Sequence, residues 1–445
     1  MTNKKRILDL LLLAPVLFLP PALPADDALK AKILTSPPAA QTTALTPPAQ
    51  AASPLTLEAL IQEALANNPV IQSAERQVAA RRAVVPQVKT LPDPMVSVSW
   101  MGGLRPFDVM RGDPSSFRSL GAMQQIPFPG KLKLRAQVAD RAAEATWWEY
   151  EQIRRRVIAE VKTAYYELFY LEQAIEITNK NKDLLEKLTR IAEVRYAVGQ
   201  GIQQDVLRAQ VELSRLLQRL TVLEQQKQTT QVRLNTLLYR PPDSPLGRPA
   251  PFPKAELTHA LDALYTLALE RDPELHAAAR LIEGSQYALN LAEKEYYPDF
   301  SVGFMYQNRP LMPEMYGVAF SVNIPIFYKS KQRAGVQQAT EELISAQRRQ
   351  DARKTELFFE VKEHYLAAKA SDELARLFAQ AIVPQSTLAL ESAMAAYEVG
   401  KVDFLTVLDS FITVLNYETD YYRELTNFQI ALAKLEPLVG VVLTQ

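Results

Sequence analysis

The side chains best suited to catalysis or metal binding are sparse in this chain and poorly spaced for either. Its three histidines, His259, His276 and His364, are scattered and show no metal-ligand spacing. Cysteine is absent, which removes disulfides, thiolate metal sites and cysteine nucleophiles. No nucleotide-binding loop, triad spacing or zinc pattern occurs. Aspartate and glutamate abound on helical stretches, as on any solvated or lumen-facing helix. Methionine alone has a pattern. Met95, Met101, Met110, Met123, Met305, Met312 and Met315, seven of nine, fall in or near short strand-like runs and their loops. Thioethers bind Cu(I), but they also serve as adaptable apolar packing. These residues imply no enzyme, no cofactor and no resident metal.

The elements that position these residues follow from the bulk of the chain. At 445 residues and 48% hydrophobic, it can bury a large core. Fifty basic and fifty acidic side chains leave no net field to attract nucleic acid. Only 14 glycines point to much helix. Lys4-Lys5-Arg6, the apolar run Leu10 to Leu19 and the small residues before Asp26 read as a secretory signal over residues 1–25. Residues 26–54, rich in proline, alanine and threonine, read as a linker. No later run reaches the roughly 18 apolar residues of a spanning helix, so any membrane crossing must use strands.

The chain then says nearly everything twice. Ile126-Pro127-Phe128-Pro129-Gly130-Lys131 returns as Ile324-Pro325-Ile326-Phe327-Tyr328-Lys329. Asn68-Pro69 is echoed by Asp272-Pro273, Pro92-Asp93 by Pro298-Asp299, and Val161-Lys162 with Tyr165 by Val361-Lys362 with Tyr365. Tyr196-Ala197-Val198-Gly199 returns as Tyr397-Glu398-Val399-Gly400. A repeat of roughly 200 residues is too long for a solenoid unit and implies duplication of a whole structural unit. The copies span residues 55–240 and 255–440, with a proline-rich joint at 241–254.

Each copy mixes two hydrophobic periods. Period-2 alternation predicts strands at about 94–102 and 117–126, then 299–307 and 316–324. Phe300, Val302, Phe304 and Tyr306 alternate cleanly with Ser301, Gly303, Met305 and Gln307, whereas 117–126 alternates poorly. Runs of about nine residues suit tilted strands crossing a bilayer; a soluble sandwich strand fits one hairpin equally well. Helical spacing predicts long helices at about 131–196 and 205–238, then 332–397 and 404–435, with Pro384 kinking or breaking the third. A helix of some 66 residues is roughly 100 Å long. Such helices need neighbours along their whole length.

Four strands per chain cannot close a barrel, for which about eight is the practical minimum. Open edges in lipid leave backbone groups unpaired. The strands, if in a membrane, therefore require an oligomer, and two or three copies would both suffice.

Over nearly all of residues 55–440 the chain resembles the TolC family of outer-membrane efflux factors. The resemblance rests on Asn67-Asn68-Pro69, Pro92-Asp93-Pro94, an Ile-Pro after each hairpin and the Tyr-x-x-Gly turns at 196–199 and 397–400. It implies a fold that is mostly α with a small β part. A homotrimer would form a 12-stranded transmembrane β-barrel, continued by a long periplasmic α-helical barrel. The outer membrane and its lipid would surround the strands. The helical tip would dock a periplasmic adaptor and, through it, an inner-membrane pump of RND or ABC type. Val198, Gly199, Val399 and Gly400 would be the adaptor contacts. The family's constriction positions match Thr406 and Asp409, so its double acidic ring is only half present, with Asp403 nearby as a substitute. A family latch between an aspartate and a tyrosine would match Asp205 and Tyr397. The latch arginine falls at Val402, leaving Lys401 as the nearest cation. Simple helix capping by Asp205 and Asp403 and ordinary packing of Tyr397 stand beside these roles. A periplasmic coiled-coil scaffold, a type I secretion duct and a diffusion porin are the competing functions, and the cargo is open.

Overall fold

The computed structural model describes residues 55–252 and 255–444. The signal and the linker expected from the sequence lie outside them. Among the described residues thirteen helices and strands make two parallel series. Copy one holds α1 (Leu57–Asn67), α2 (Pro69–Lys89), β1 (Met95–Met101), β2 (Phe117–Ile126), α3 (Lys131–Ala197) and α4 (Gln203–Leu237). Copy two holds α5 (Leu261–Arg271), α6 (Pro273–Lys294), β3 (Asp299–Asn308), β4 (Met315–Asn323), α7 (Gln332–Leu377), α8 (Val383–Glu398) and α9 (Phe404–Val439).

The repeated Asn-Pro and Asp-Pro pairs are helix starts. Asn68 Oδ1 accepts the Val70 and Ile71 N–H groups at 2.9 and 3.4 Å, and Pro69 fills the first helical position. Asp272 Oδ1 accepts the Leu275 N–H at 2.8 Å in the same way. The first helix of copy two opens at Leu261, and Leu257 before it packs against the core.

α3 runs unbroken for 67 residues. Its first half packs on α2 and α6, its second on α4 and α9. The matching path in copy two carries a defect just before Pro384, where a kink or a break is expected. A single π turn, Phe378–Ile382, joins α7 to α8 and absorbs the proline's missing N–H and its clash with the preceding turn. α9 extends beyond the expected end to Val439, carrying Pro437 in its last turn.

Apolar side chains form separate cores along these helices. Val161, Tyr165, Leu168 and Leu234 centre one, and Leu357, Val361, Phe428 and Leu432 centre its copy-two counterpart. The repeated valines, Val161 and Val361, are both fully buried. Lys162 and Lys362 differ. Lys162 is buried against Glu436 at 2.5 Å, whereas Lys362 is exposed. Glu436 Oε1 also accepts the Leu443 and Thr444 N–H groups at 2.8 and 3.0 Å, pinning the segment after α9.

The strands form one antiparallel sheet in the order β1-β2-β3-β4. Its register pairs even-numbered residues with even-numbered residues throughout, as in Val98↔Leu120, Ala122↔Phe304 and Phe304↔Val318. One face therefore gathers valine, phenylalanine, tyrosine and Trp100. The other carries Ser97, Ser99, Gly121, Ser301, Gly303 and Ser321, with a Ser99–Ser119 hydroxyl contact at 2.6 Å. The poor alternation of β2 reflects Arg118 and Gln124 on the apolar face. Among the described residues both outer edges, β1 and β4, are unpaired.

Candidate functional site

The far ends of the long helices come together at two turns of the same geometry. Val198 and Val399 close their helices at φ −94°, ψ 8° and φ −92°, ψ 6°. Gly199 and Gly400 follow at φ 75° and 71°, a region in which a side chain would be strained. In each, two backbone bonds close the helix end: Gly199 N–H to Tyr196 O and Gln200 N–H to Arg195 O, at 3.0 and 2.8 Å. The copy-two pair is Gly400 to Tyr397 and Lys401 to Ala396, both at 2.9 Å. Val198 and Val399 are exposed at the apex, an apolar pair free to meet a partner.

Below the turns, Leu188, Ala192, Tyr397, Phe404, Val407 and Phe411 form an apolar core joining α3, α8 and α9. Tyr397 is buried there, its ring edge-on to Phe404 with centroids 5.7 Å apart. Arg195, from the last turn of α3, lays its guanidinium 4.5 Å from the Tyr397 ring centroid and donates to the Tyr397 carbonyl oxygen. Copy one thus clamps copy two through a cation. The sequence reading missed Arg195. Its copy-two counterpart is Ala396, and that asymmetry was the only available signal. Lys401 is exposed and forms no ion pair among the described residues.

Asp205 and Asp403, at the starts of α4 and α9, behave differently. Asp403 caps α9: its Oδ1 accepts the Thr406 N–H at 2.9 Å and the Thr406 hydroxyl at 2.5 Å. These two bonds hold its carboxyl below the ordinary aspartate value. Asp205, the third residue of α4, takes a backbone hydrogen bond from Ile202 on its carboxyl. Burial, then the nearby Asp403 carboxylate, push its pKa up against the pull of Arg208. Asp205 also lies close enough to Tyr397 to raise that phenol, which burial raises most and Arg195 lowers. Within the chain, among the described residues, Asp205 and Tyr397 share no hydrogen bond.

Asp409 and Thr406 lie on the exposed face of α9. With Thr413, Asn416 and Asp420 they form a polar stripe at alternating steps of three and four residues. Asp409 and Thr406 are therefore on one strip of surface, while Asp403 is occupied at the helix end. Five of the seven methionines, Met95, Met101, Met123, Met305 and Met315, fall on the small and polar sheet face. His276 stacks on Trp148, with centroids 4.2 Å apart. Among the described residues no cluster of histidine and carboxylate side chains could hold a metal ion.

A family signature for outer membrane efflux proteins matches residues 60–238 and 264–441, one match on each copy. The chain belongs to the outer membrane efflux protein family. It is 21% identical, over 88% of its length and 92% of the relative's, to the cobalt-zinc-cadmium resistance protein CzcC of Cupriavidus metallidurans. It is 24% identical to the pyoverdine export outer membrane protein OpmQ of Pseudomonas putida, over 72% of this chain and 70% of that one. Among solved structures, the outer membrane protein VceC of Vibrio cholerae shares the fold with a TM-score of 0.75 at 18% identity, covering 86% of this chain and 96% of that one. The efflux family places the protein in the outer membrane, with a large periplasmic helical part. Its members are passive channels, not enzymes. The fold class is that of the trimeric channels with an internal repeat.

Proposed function

We propose that this chain forms the outer-membrane exit duct of a tripartite efflux pump: a passive, trans-periplasmic homotrimer gated at its helical tips. A periplasmic adaptor and an inner-membrane pump of RND or ABC type would open it. The observation that carries the proposal is the paired tip. Two turns of matching shape present exposed apolar apices at one end of the helices, clamped by Arg195 across the copies. Trimerisation repeats the pair three times, giving six similar turns for an adaptor to fit.

The polar stripe of α9 supplies the passage. Asp409, exposed and one turn beyond Thr406, would ring the narrow end in three copies. A ring of carboxylates attracts cations and resists closure by mutual repulsion. The closed tip must therefore be held by other contacts, and the clamp on Tyr397 is the contact available.

The test is single-channel conductance of the purified protein in planar bilayers. The unmutated channel should conduct weakly and prefer cations, and Asp409→Asn should reduce that preference. A large constitutive conductance, unchanged by substitutions at the tip, would mean an ungated pore and would sink the proposal.

A further inference from the structure

The inner seam of the sheet, where β2 meets β3, joins copy one to copy two within the chain and ends in a buried ion lock. Lys131, the first residue of α3, is 1% exposed. Its Nζ donates to Asp299 Oδ1 at 2.9 Å, to Glu295 Oε2 at 3.1 Å and to the Tyr297 carbonyl at 3.1 Å. Asp299 Oδ1 also accepts the Phe128 N–H at 2.8 Å. The Phe128 ring stacks on Tyr297, with centroids 4.6 Å apart. A buried ammonium is tolerated only when its partners are complete. Here they fix the angle at which strand turns into helix.

The duplication supplies these parts a second time, unassembled. Matching Ile126-Pro127 with Ile324-Pro325 puts Lys329 where Lys131 stands. Matching Pro92-Asp93 with Pro298-Asp299 puts Asp93 where Asp299 stands. Ile326 and Leu91 then take the places of Phe128 and Tyr297, and both are exposed, by 68% and 45%. Within one chain these residues flank opposite edges of the sheet, Lys329 after β4 and Asp93 before β1. Both are exposed, and among the described residues neither forms an ion pair.

We propose that Lys329 of one copy and Asp93 of the neighbouring copy form, between chains, the junction lock that Lys131 and Asp299 form within one. The lock rests on the duct function proposed above and specifies how the subunits meet. Carrying the β2–β3 register across the outer seam pairs Phe320 with Val98, and Ser321 with Ser97, of the neighbouring copy. That register keeps apolar residues with apolar and small with small; a one-residue slip would invert every side chain. It also brings Ile326 against Leu91. Glu295 has no acidic counterpart, because Lys89 stands in its place. The outer lock has one carboxylate fewer and is the weaker of the two.

The absence of cysteine makes the register directly testable. The full-length protein carrying Ser97→Cys and Ser321→Cys is extracted in detergent, oxidised and run without reductant. Linked chains are expected, reversed by reductant and lost in either single variant. Met101→Cys with Ser321→Cys, on the same face but out of register, should not link. Lys329→Glu and Asp93→Lys should each lose the heat-resistant oligomer, and their combination should restore it. An oligomer that forms without the Ser97–Ser321 link overturns the proposal but leaves the duct standing. Linked chains whose heat resistance ignores both charge reversals overturn the lock alone. An unmutated protein with no oligomer removes the duct and the lock together.

Discussion

At the scale of single residues, the tip is held by a cation no pairwise pattern predicts. The guanidinium of Arg195 covers Tyr397 and binds its carbonyl. A cation–π contact of this kind contributes about 1 kcal/mol. Arg195→Ala should therefore raise single-channel conductance or open probability several-fold. Tyr397→Phe keeps the ring and the carbonyl and should change conductance little. The reverse order would show that the tyrosine hydroxyl, not the ring, does the holding. Acidity gives a second prediction with a definite sign. Burial and Asp403 raise the pKa of Asp205 in the folded tip. The folded tip thus binds that proton more tightly than the unfolded chain does. Its stability is greatest below the ordinary aspartate value and falls as pH rises through the raised one. Lowering the pH through that window should tighten the tip and reduce conductance, and Asp205→Asn should flatten the response. A response of the same size in Asp205→Asn would assign the titration to another group. Asp403 works in the opposite sense: its pKa is lowered by the bonds from Thr406, so its cap is lost only as pH falls through that lowered value.

At the scale of elements, one join is expected to be costly to break. Lys162 of α3 and Glu436 of α9 form an ion pair with side-chain exposures of 6% and 9%. Lys162→Met leaves Glu436 buried with hydrogen bonds but no cation. The expected loss is about 3 kcal/mol, read as a drop in thermal midpoint, while Lys362→Met should be silent. Equal effects at both sites would mean that burial does not distinguish the repeated lysines. Much of this layer was legible in the sequence. Period-2 spacing marks β1, β3 and β4, and helical spacing all four long helical paths, because one face of each of these elements must be apolar. The helix-starting proline pairs carry their own capping residue, Asn68 or Asp272. Three things were not legible. Pro384 announces a defect but not its form, since a π turn depends on whether neighbouring helices hold the path straight. β2 alternates weakly because Arg118 and Gln124 stand on its apolar face, and only the register shows which face that is. Arg195 could not be assigned because its target is a ring and a carbonyl some 200 residues away in sequence. The sequence pointed instead to Lys401, which the fold leaves exposed.

At the scale of the whole molecule, the decisive fact is a four-stranded sheet with two open edges and one apolar face. Unpaired edge groups cost several kcal/mol each in hydrocarbon, so a single chain cannot be the membrane-embedded form. The long helices carry a like requirement, since the apolar residues Val211 and Leu217 of α4 stand exposed. A trimer gives 3 × 4 = 12 strands and a lumen lined by the serine and glycine face. The most direct test is the protein mass of the detergent-extracted assembly, measured by native mass spectrometry. Three chains in one complex are predicted. A monodisperse single chain, folded and stable without detergent, would contradict the account.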